Sequence, residues 1–174
     1  MDTPLTGQQI EEVLGKFEPM LYSKLSEYDT IEALLPTDYS WRVILLETKA
    51  YSGHWVCLLR LPEDKYYYFN SYGDSFKKDL NLIPRMVRKI LGESVNYLDI
   101  LLKDKDVSWN TKKYQGKKSM VCGRYVMLCI DLICNMKRPV SEFHSLLVKT
   151  KKDLKLKSFD EAIVKLTDRV EATF

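Results

Sequence analysis

Cys122 stands at the boundary between a polar, basic segment and an apolar one, in the sequence YQGKKSMVCGRYVMLCIDLIC. The apolar residues that follow recur every three or four positions, which predicts a helix that begins at the cysteine. A sulfur at a helix start lies near backbone N–H groups without intrahelical partners and near the positive end of the helix dipole. Such surroundings favour the thiolate, the nucleophilic form of cysteine. Cys122 is therefore the candidate nucleophile, and Gly123 would leave room for a substrate backbone to approach.

The other three cysteines, Cys57, Cys129 and Cys134, lack the position of Cys122. Cys129 and Cys134 fall on later turns of the same predicted helix, where a thiol packs as a small apolar group. The four cysteines have no paired spacing typical of a disulfide framework, which favours a reduced intracellular compartment. Zinc binding is not expected either, because the chain has no C-x2-C pair and only two histidines.

A nucleophilic cysteine needs a base, and the chain offers His54 or His144. His54 begins the apolar run HWVCLLRL directly after Gly53, where a ring at a strand end can point into a cleft. His144 lies within SEFHSLLVKT on a predicted helix, which is more typical of a surface or hydrogen-bonded core histidine. Each histidine could also be purely structural, so this pattern alone favours His54 without deciding.

Two amide side chains could complete such a site. Asn70 follows the next apolar run, and its side-chain oxygen could accept the imidazole N–H and so fix the tautomer of the ring. Gln115 lies seven residues before Cys122, and its amide could donate to a developing oxyanion, with the Cys122 backbone N–H as second donor. Taken singly, each is an ordinary polar residue in a loop or at a strand end.

Short aliphatic and aromatic runs between turn residues predict the strands that would position His54 and Asn70. Their expected bounds are Arg42–Thr48, His54–Leu61 and Lys65–Ser71, and NYLDILL is interpreted as a further strand. Helices are expected at TGQQIEEVLGKF, with a capping box at Thr6 and Gln9, and then over 29–35, from Pro84 to Gly92, from Cys122, over 141–150 and from Ser158. Helices, then a group of strands, then helices indicate an α+β fold.

The 174-residue length fits one domain, 1–174, and the 45% hydrophobic and 29% charged composition is that of a globular protein. The N-terminal sequence has no pattern of a secretory signal, and no apolar run reaches the roughly 18–20 residues of a membrane span. The net charge of +3 is uneven, since 103–118 holds six basic and two acidic residues and 137–157 holds seven and two. These segments are either a solvated surface or a patch for an acidic partner such as nucleic acid.

Together, GHW at 53–55, FNSYG at 69–73, Gln115 and CG at 122–123 resemble the pattern of the adenain-type cysteine peptidases. That family includes the adenovirus maturation protease and relatives in large DNA viruses, virophages and polinton-like elements. The cellular proteases that remove ubiquitin-like modifiers form another branch of the same fold. The resemblance spans about 43–136, over half of the chain, and its motifs are specific only as a set.

The resemblance implies a papain-like fold with Cys122 as nucleophile, His54 as general base and Gln115 in the oxyanion hole. Asn70 would orient the His54 ring, at the position where many relatives have a carboxylate. Trp55 would pack beside the site. The implied function is an endopeptidase that cleaves after small residues in Gly-rich sites and processes capsid or other virion precursors. It would act as an intracellular monomer in host cytoplasm, nucleus or virus factory and be packaged in the virion.

The resemblance implies no cofactor for the chemistry, no membrane partner, and optional activation by DNA or a peptide, as in the adenovirus enzyme. One alternative is a deconjugase, an isopeptidase that removes a ubiquitin-like modifier. An alternative of another class is an inactive relative of the fold that binds a protein or nucleic acid. The joint presence of His54, Gln115 and Cys122 favours an enzyme over a binding protein.

Overall fold

A mixed five-stranded sheet organises the chain in the computed structural model, which describes residues 4–171. The strands follow one another across the sheet in chain order. The three central strands form an antiparallel meander, and each edge strand runs parallel to its neighbour. The strands are β1 Met20–Leu21, β2 Trp41–Lys49, β3 Ser52–Leu61, β4 Lys65–Phe69 and β5 Asp106–Trp109. The three strands predicted from the apolar runs are confirmed, with shifts of one or two residues at their ends.

Tight turns fix the register of the meander. Glu63 and Asp64, between β3 and β4, both have positive φ angles of 66° and 54°. These two left-handed residues lie in the three-residue turn between Leu61 and Lys65, which pair across β3 and β4. The register pairs Leu46 with His54 and Glu47 with Gly53 at the open end of β2 and β3. His54 is thereby held next to the exposed end of a strand pair whose middle is buried.

Both faces of the sheet are covered, which explains why its strands appear as continuous apolar runs and not as alternating ones. Cys57 and Leu59 of β3 face one hydrophobic core, and Val56 and Leu58 face the other. This division follows from the two-residue period of a strand. The first core includes the helix that begins at Cys122, and the second includes the short helices that follow β4.

The central helix α5, Cys122–Ile130, is buried along nearly its whole length, between β3 and two other helices. Its apolar residues therefore pack on several sides, and a π-helical turn, Asp131–Asn135, extends it. The other helices are α1 Gly7–Leu14, α2 Ile31–Leu34, α3 Arg85–Leu91, α4 Tyr97–Leu101, α6 Val140–Asp153 and α7 Phe159–Glu171, with 3-10 helices at Tyr22–Glu27 and Asp79–Leu82. The Thr6–Gln9 capping box of α1 is confirmed by both of its hydrogen bonds.

The interpretation of NYLDILL as a strand is wrong. Tyr97–Leu101 is α4, because the Asn96 side chain accepts from the Asp99 backbone N–H and caps a helix start. Leu98 and Leu101 are then buried on one side of the helix. The sheet instead gains β5 from the charged sequence DVSW, which pairs with β4.

The α+β class is confirmed by a sheet packed against helices. The expected domain bounds, 1–174, extend past the described residues at both ends. Within residues 4–171, no helix has the length and apolar character needed to cross a bilayer.

Candidate functional site

Cys122 is the first residue of α5, as its sequence context predicts. Its side chain is partly exposed, whereas Cys57, Cys129 and Cys134 are buried. The backbone N–H groups of Trp55, Gly123 and Cys122 itself interact favourably with a charged sulfur. The described structure thus gives Cys122 the helix-terminal position and the access that a nucleophile requires, and leaves the other three thiols in the core.

The GHW sequence of β3 and the CG sequence of α5 pack against each other. A Cβ atom at position 123 would lie 2.9 Å from two ring carbons of Trp55, so only glycine fits there. Packing against Trp55 thus gives Gly123 a structural reason, and its expected role in leaving room for a substrate backbone stays a prediction, since Gly123 also lines the cleft. Trp55 also contacts Phe17 at a ring-centroid distance of 5.2 Å. Gly53 is required too, since a Cβ there would lie 1.9 Å from the Leu46 carbonyl oxygen.

His54 and Asn70 are joined by a hydrogen bond of 2.8 Å between Nε2 of the ring and Oδ1 of the amide. Asn70 Oδ1 also accepts from the backbone N–H of Tyr72 at 2.9 Å. A backbone N–H can only donate, so the amide oxygen must face this side. Nε2 of His54 therefore carries the proton that it donates to Asn70, and Nδ1 is left as the basic nitrogen.

The other end of the Asn70 amide is bound by a buried acid that sequence reasoning missed. Asn70 Nδ2 donates to Asp79 Oδ1 at 2.7 Å, and the Tyr68 hydroxyl donates to Asp79 Oδ2. Asn70 and Asp79 are only 1% and 2% exposed, respectively, so water does not compete for these bonds. Within FKKDLNL, Asp79 has the sequence pattern of a solvated charge, and nothing in that pattern indicates its burial.

Gln115 is held by two hydrogen bonds at the cleft wall. Its Oε1 accepts from the Ser71 hydroxyl at 2.6 Å, and its Nε2 donates to the Ser119 carbonyl at 2.9 Å. An amide nitrogen carries two N–H bonds, and the second has no acceptor among the described residues. The adjacent Gly116 N–H donates to Asp160 at 2.9 Å, which ties this loop to α7.

Burial shifts the pKa values of Cys122 and His54, the candidate nucleophile and base. It raises the pKa of the Cys122 thiol, and the surrounding N–H groups only partly oppose this. It also lowers the pKa of His54 to about 4, against the opposing effects of the Asn70 hydrogen bond and the Asp74 charge. Both shifts favour the neutral thiol and neutral imidazole. The backbone N–H groups at the helix start favour the thiolate, as the position of Cys122 predicts, but desolvation has the larger effect on the pKa of the thiol.

A cleft of about 520 Å³ collects the predicted site residues. Its lining includes Cys122, His54, Asn70, Gln115, Trp55 and Gly123. Tyr72 is a further member that sequence reasoning missed: its ring stacks on His54 at 4.4 Å, and it lies near enough to Cys122 for their charges to interact. Two exposed side chains, Tyr51 and Met120, also line the cleft.

His144 lies in a different environment, as its sequence context predicts. Its Nε2 and Nδ1 atoms are hydrogen-bonded to the hydroxyls of Tyr67 and Tyr114, at 2.7 and 2.5 Å. Both ring nitrogens are thereby hydrogen-bonded, and His144 lines a second groove away from the site cleft.

As for metal binding, no cluster of three or more His, Cys, Asp or Glu side chains among residues 4–171 has the arrangement to hold an ion.

No known family model matches the chain. It is, however, 34% identical over 129 residues to the uncharacterized protein V9 of Sputnik virophage, a match that covers 71% of this chain and 73% of that protein. This relative supports a virophage origin for the chain, and its name carries no activity. The chain therefore belongs to the same protein family as protein V9 of Sputnik virophage.

Proposed function

We propose that the chain is an adenain-like cysteine endopeptidase with a papain-like fold, in which Cys122 is the nucleophile and His54 the base. The observation that carries this proposal is the 2.8 Å hydrogen bond from His54 to Asn70 in the cleft onto which Cys122 opens at a helix start. Both side chains line the same cleft, and the hydrogen bond fixes the His54 tautomer in which Nδ1 is the basic nitrogen. These features support the proposal because a Cys-His-Asn hydrolase uses a histidine that an asparagine orients.

The first half of the reaction forms a thioester. As Cys122 Sγ attacks the scissile carbonyl carbon, its proton passes to Nδ1 of His54. The carbonyl oxygen becomes an oxyanion that accepts from the Gln115 amide and the Cys122 backbone N–H. When the C–N bond breaks, the leaving amine takes the proton from His54.

The second half restores the free enzyme. A water molecule gives a proton to His54 and attacks the thioester carbonyl, and the same donors stabilise the second oxyanion. The C–S bond then breaks, the proton returns to sulfur, and the carboxylic product leaves. No metal or redox partner is required for these steps.

Virion precursor proteins cleaved after small residues are the proposed substrates, on the strength of the adenain-like motifs and the virophage relative. The cleft offers apolar contacts at its rim, since Tyr51 is 83% and Met120 63% exposed. Exposed aromatic and methionine side chains can pack against an extended peptide without a prior conformational change.

Co-expression with the structural proteins of the same virus tests the proposal. The wild type is expected to cut at least one of them, Cys122→Ala to leave it intact, and Cys129→Ala to cut it normally. Cys129 is the matched control because it is a buried thiol on the same helix. Equal cleavage by the Cys122→Ala variant would show that the assignment is wrong.

Fluorogenic ubiquitin-like substrates separate the endopeptidase from the deconjugase alternative. The endopeptidase is expected to cut short Gly-rich peptides at least as well as a folded modifier with the same C-terminus. Rapid and selective turnover of one folded modifier would instead favour the deconjugase.

A groove on another part of the surface favours a second, nucleic-acid-binding role. The two basic segments meet there: Lys112 comes from one, and Lys149 and Lys152 come from the other, beside the 41%-exposed Trp109. Lysines attract phosphates, and an exposed aromatic ring can stack on a base. Binding to non-specific DNA should weaken steeply as salt rises and should weaken again in Lys149→Ala/Lys152→Ala; no binding at low salt would exclude this role.

A further inference from the structure

The relay from His54 through Asn70 to Asp79 ends on a carboxyl group that has no evident structural need to be charged. Asp79 is 2% exposed, begins a 3-10 helix and is among the residues that line the cleft. Burying an acid is unfavourable unless its environment compensates for the lost hydration. Here Tyr68 and Asn70 supply one neutral donor each.

We propose that Asp79 is a positioning residue for His54, which acts through the Asn70 amide and supplies the negative charge that Asn70 itself lacks. This inference rests on the proposed function of Cys122 and His54. Asp79 touches neither the substrate nor the reacting atoms in this account. Its effect on the His54 imidazole is transmitted through the Asn70 side chain, which lies between them.

The first part of its action is orientation. Asn70 has an oxygen and a nitrogen that could exchange places by rotation of the amide. Asp79 accepts from the Nδ2 end, and the Tyr72 N–H donates to the Oδ1 end, so both ends resist that rotation. A rotated amide would present N–H groups to Nε2 of His54 and would favour the opposite ring tautomer, which has no basic Nδ1.

The second part is electrostatic. When His54 takes the thiol proton, its positive charge lies in a desolvated site, where a neutral amide gives limited compensation. An ionised Asp79 favours the imidazolium across the Asn70 amide, because opposite charges attract more strongly at low dielectric. Asp74 also acts on both groups, and its charge raises the pKa of His54 and of Asp79. Tyr22 and Tyr68 interact with Asp79, and the Tyr72 ring stacks on His54.

The Asp79 carboxyl group is expected to titrate within the pH range that a rate measurement can cover. Burial raises its pKa to about 7, while the Tyr68 and Asn70 hydrogen bonds oppose the rise. Asp79 is therefore mostly neutral near pH 5.5 and mostly charged near pH 8.5. If it assists His54, its contribution to the reactivity of Cys122 should appear over this interval and be absent below it.

Alkylation of Cys122 by iodoacetamide measures that contribution without any peptide substrate. The ratio of the wild-type rate to the Asp79→Asn rate, followed by peptide mapping, is expected to be near 1 at pH 5.5. It should rise to about 10 at pH 8.5, the effect of roughly one pKa unit at His54, with a midpoint near 7. A purely structural role would lower the rate by the same factor at every pH, and a flat ratio overturns the proposal.

Two further variants keep the test decisive. Glu93→Gln is the matched control: Glu93 is another buried carboxyl with a pKa raised to about 7, but it is bonded to the Glu47 backbone and not to Asn70. Its rate ratio should stay near 1 throughout. Tyr68→Phe removes a donor that lowers the pKa of Asp79, so the pH dependence should move to higher pH. This shift tests the role of Asp79 even if Asp79→Asn does not fold. An unshifted pH dependence in Tyr68→Phe would count against that role.

Failure of this inference and failure of the proposed function are distinguishable. A pH-dependent ratio without any peptide cleavage would keep the relay and reject the peptidase. Peptide cleavage abolished by Cys122→Ala, together with a flat ratio, would keep the peptidase and reject the role of Asp79.

Discussion

The Trp55 ring lies against Gly123, so that a Cβ atom at position 123 would be 2.9 Å from two of the ring carbons. The backbone N–H of the same tryptophan lowers the pKa of the Cys122 thiol, against the larger effect of burial. Trp55 of β3 thereby limits the space beside Gly123 and supplies part of the polar environment of Cys122, at the start of α5. The GHW and CG sequences are two halves of one packing arrangement.

Gly123→Ala is expected to destabilise the protein by about 1–3 kcal/mol, because the added methyl group overpacks this contact. It should also displace the Cys122 sulfur and slow its alkylation. Chemical denaturation and the alkylation rate measure the two effects. Trp55→Phe in the Gly123→Ala background should cost less than Trp55→Phe alone, and strictly additive energies would show that the two residues are not coupled.

Gln115→Ala is expected to lower kcat by about 100-fold with little change in KM, since an oxyanion donor acts mainly in the transition state. Ser71→Ala should lower kcat by a smaller factor, because it frees the Gln115 amide to rotate without removing it. Steady-state kinetics on one peptide substrate measures both. A rise in KM with an unchanged kcat would instead assign Gln115 to substrate binding.

Met120→Ala is expected to raise KM several-fold and leave kcat unchanged, because Met120 is an exposed side chain on the rim of the cleft. Met86→Ala is the matched control: Met86 is 75% exposed on α3 and does not line the cleft. The same peptide kinetics apply. Equal effects of the two substitutions would place the peptide elsewhere.

Glu93→Gln is expected to change how stability depends on pH. Burial raises the pKa of Glu93 to about 7 from its usual 4.5, so the native state binds more protons than the unfolded state between these values. The wild type therefore loses unfolding free energy through Glu93 as pH rises through this window, and the variant does not. The free energy of unfolding of the variant minus that of the wild type should be larger at pH 8 than at pH 5. The lowered pKa of His54 makes stability rise with pH, but this contribution is the same in both proteins and cancels in the difference.

Much of this architecture could be predicted from local patterns. The apolar runs of β2, β3 and β4, the capping box of α1 and the helix start at Cys122 each express a short-range preference that the packing does not override. The strand predicted for NYLDILL is wrong because this apolar run is too short to distinguish a strand from a helix with one buried side. Its Asn96 cap was the signal that could have decided it.

The candidate site was predictable only in part, for a physical reason. His54, Asn70, Gln115 and Cys122 have side chains whose chemistry suggests a role in any context. Asp79, Ser71 and Tyr72 act through what they contact, and those contacts arise only when separate segments pack together. The net effect of burial on Cys122 and His54 was likewise unpredictable, because it depends on the depth of the cleft and not on residue type.

The most direct test of the central claim is intact-mass analysis of the protein after rapid acid quenching during turnover of a cleavable peptide ester. We expect a mass increase equal to the acyl part of the peptide, located on Cys122 and absent from Cys122→Ala. The adduct should be far weaker in His54→Ala and undiminished in Cys129→Ala. Turnover of the ester by Cys122→Ala at the wild-type rate, with no adduct on the wild type, would contradict it.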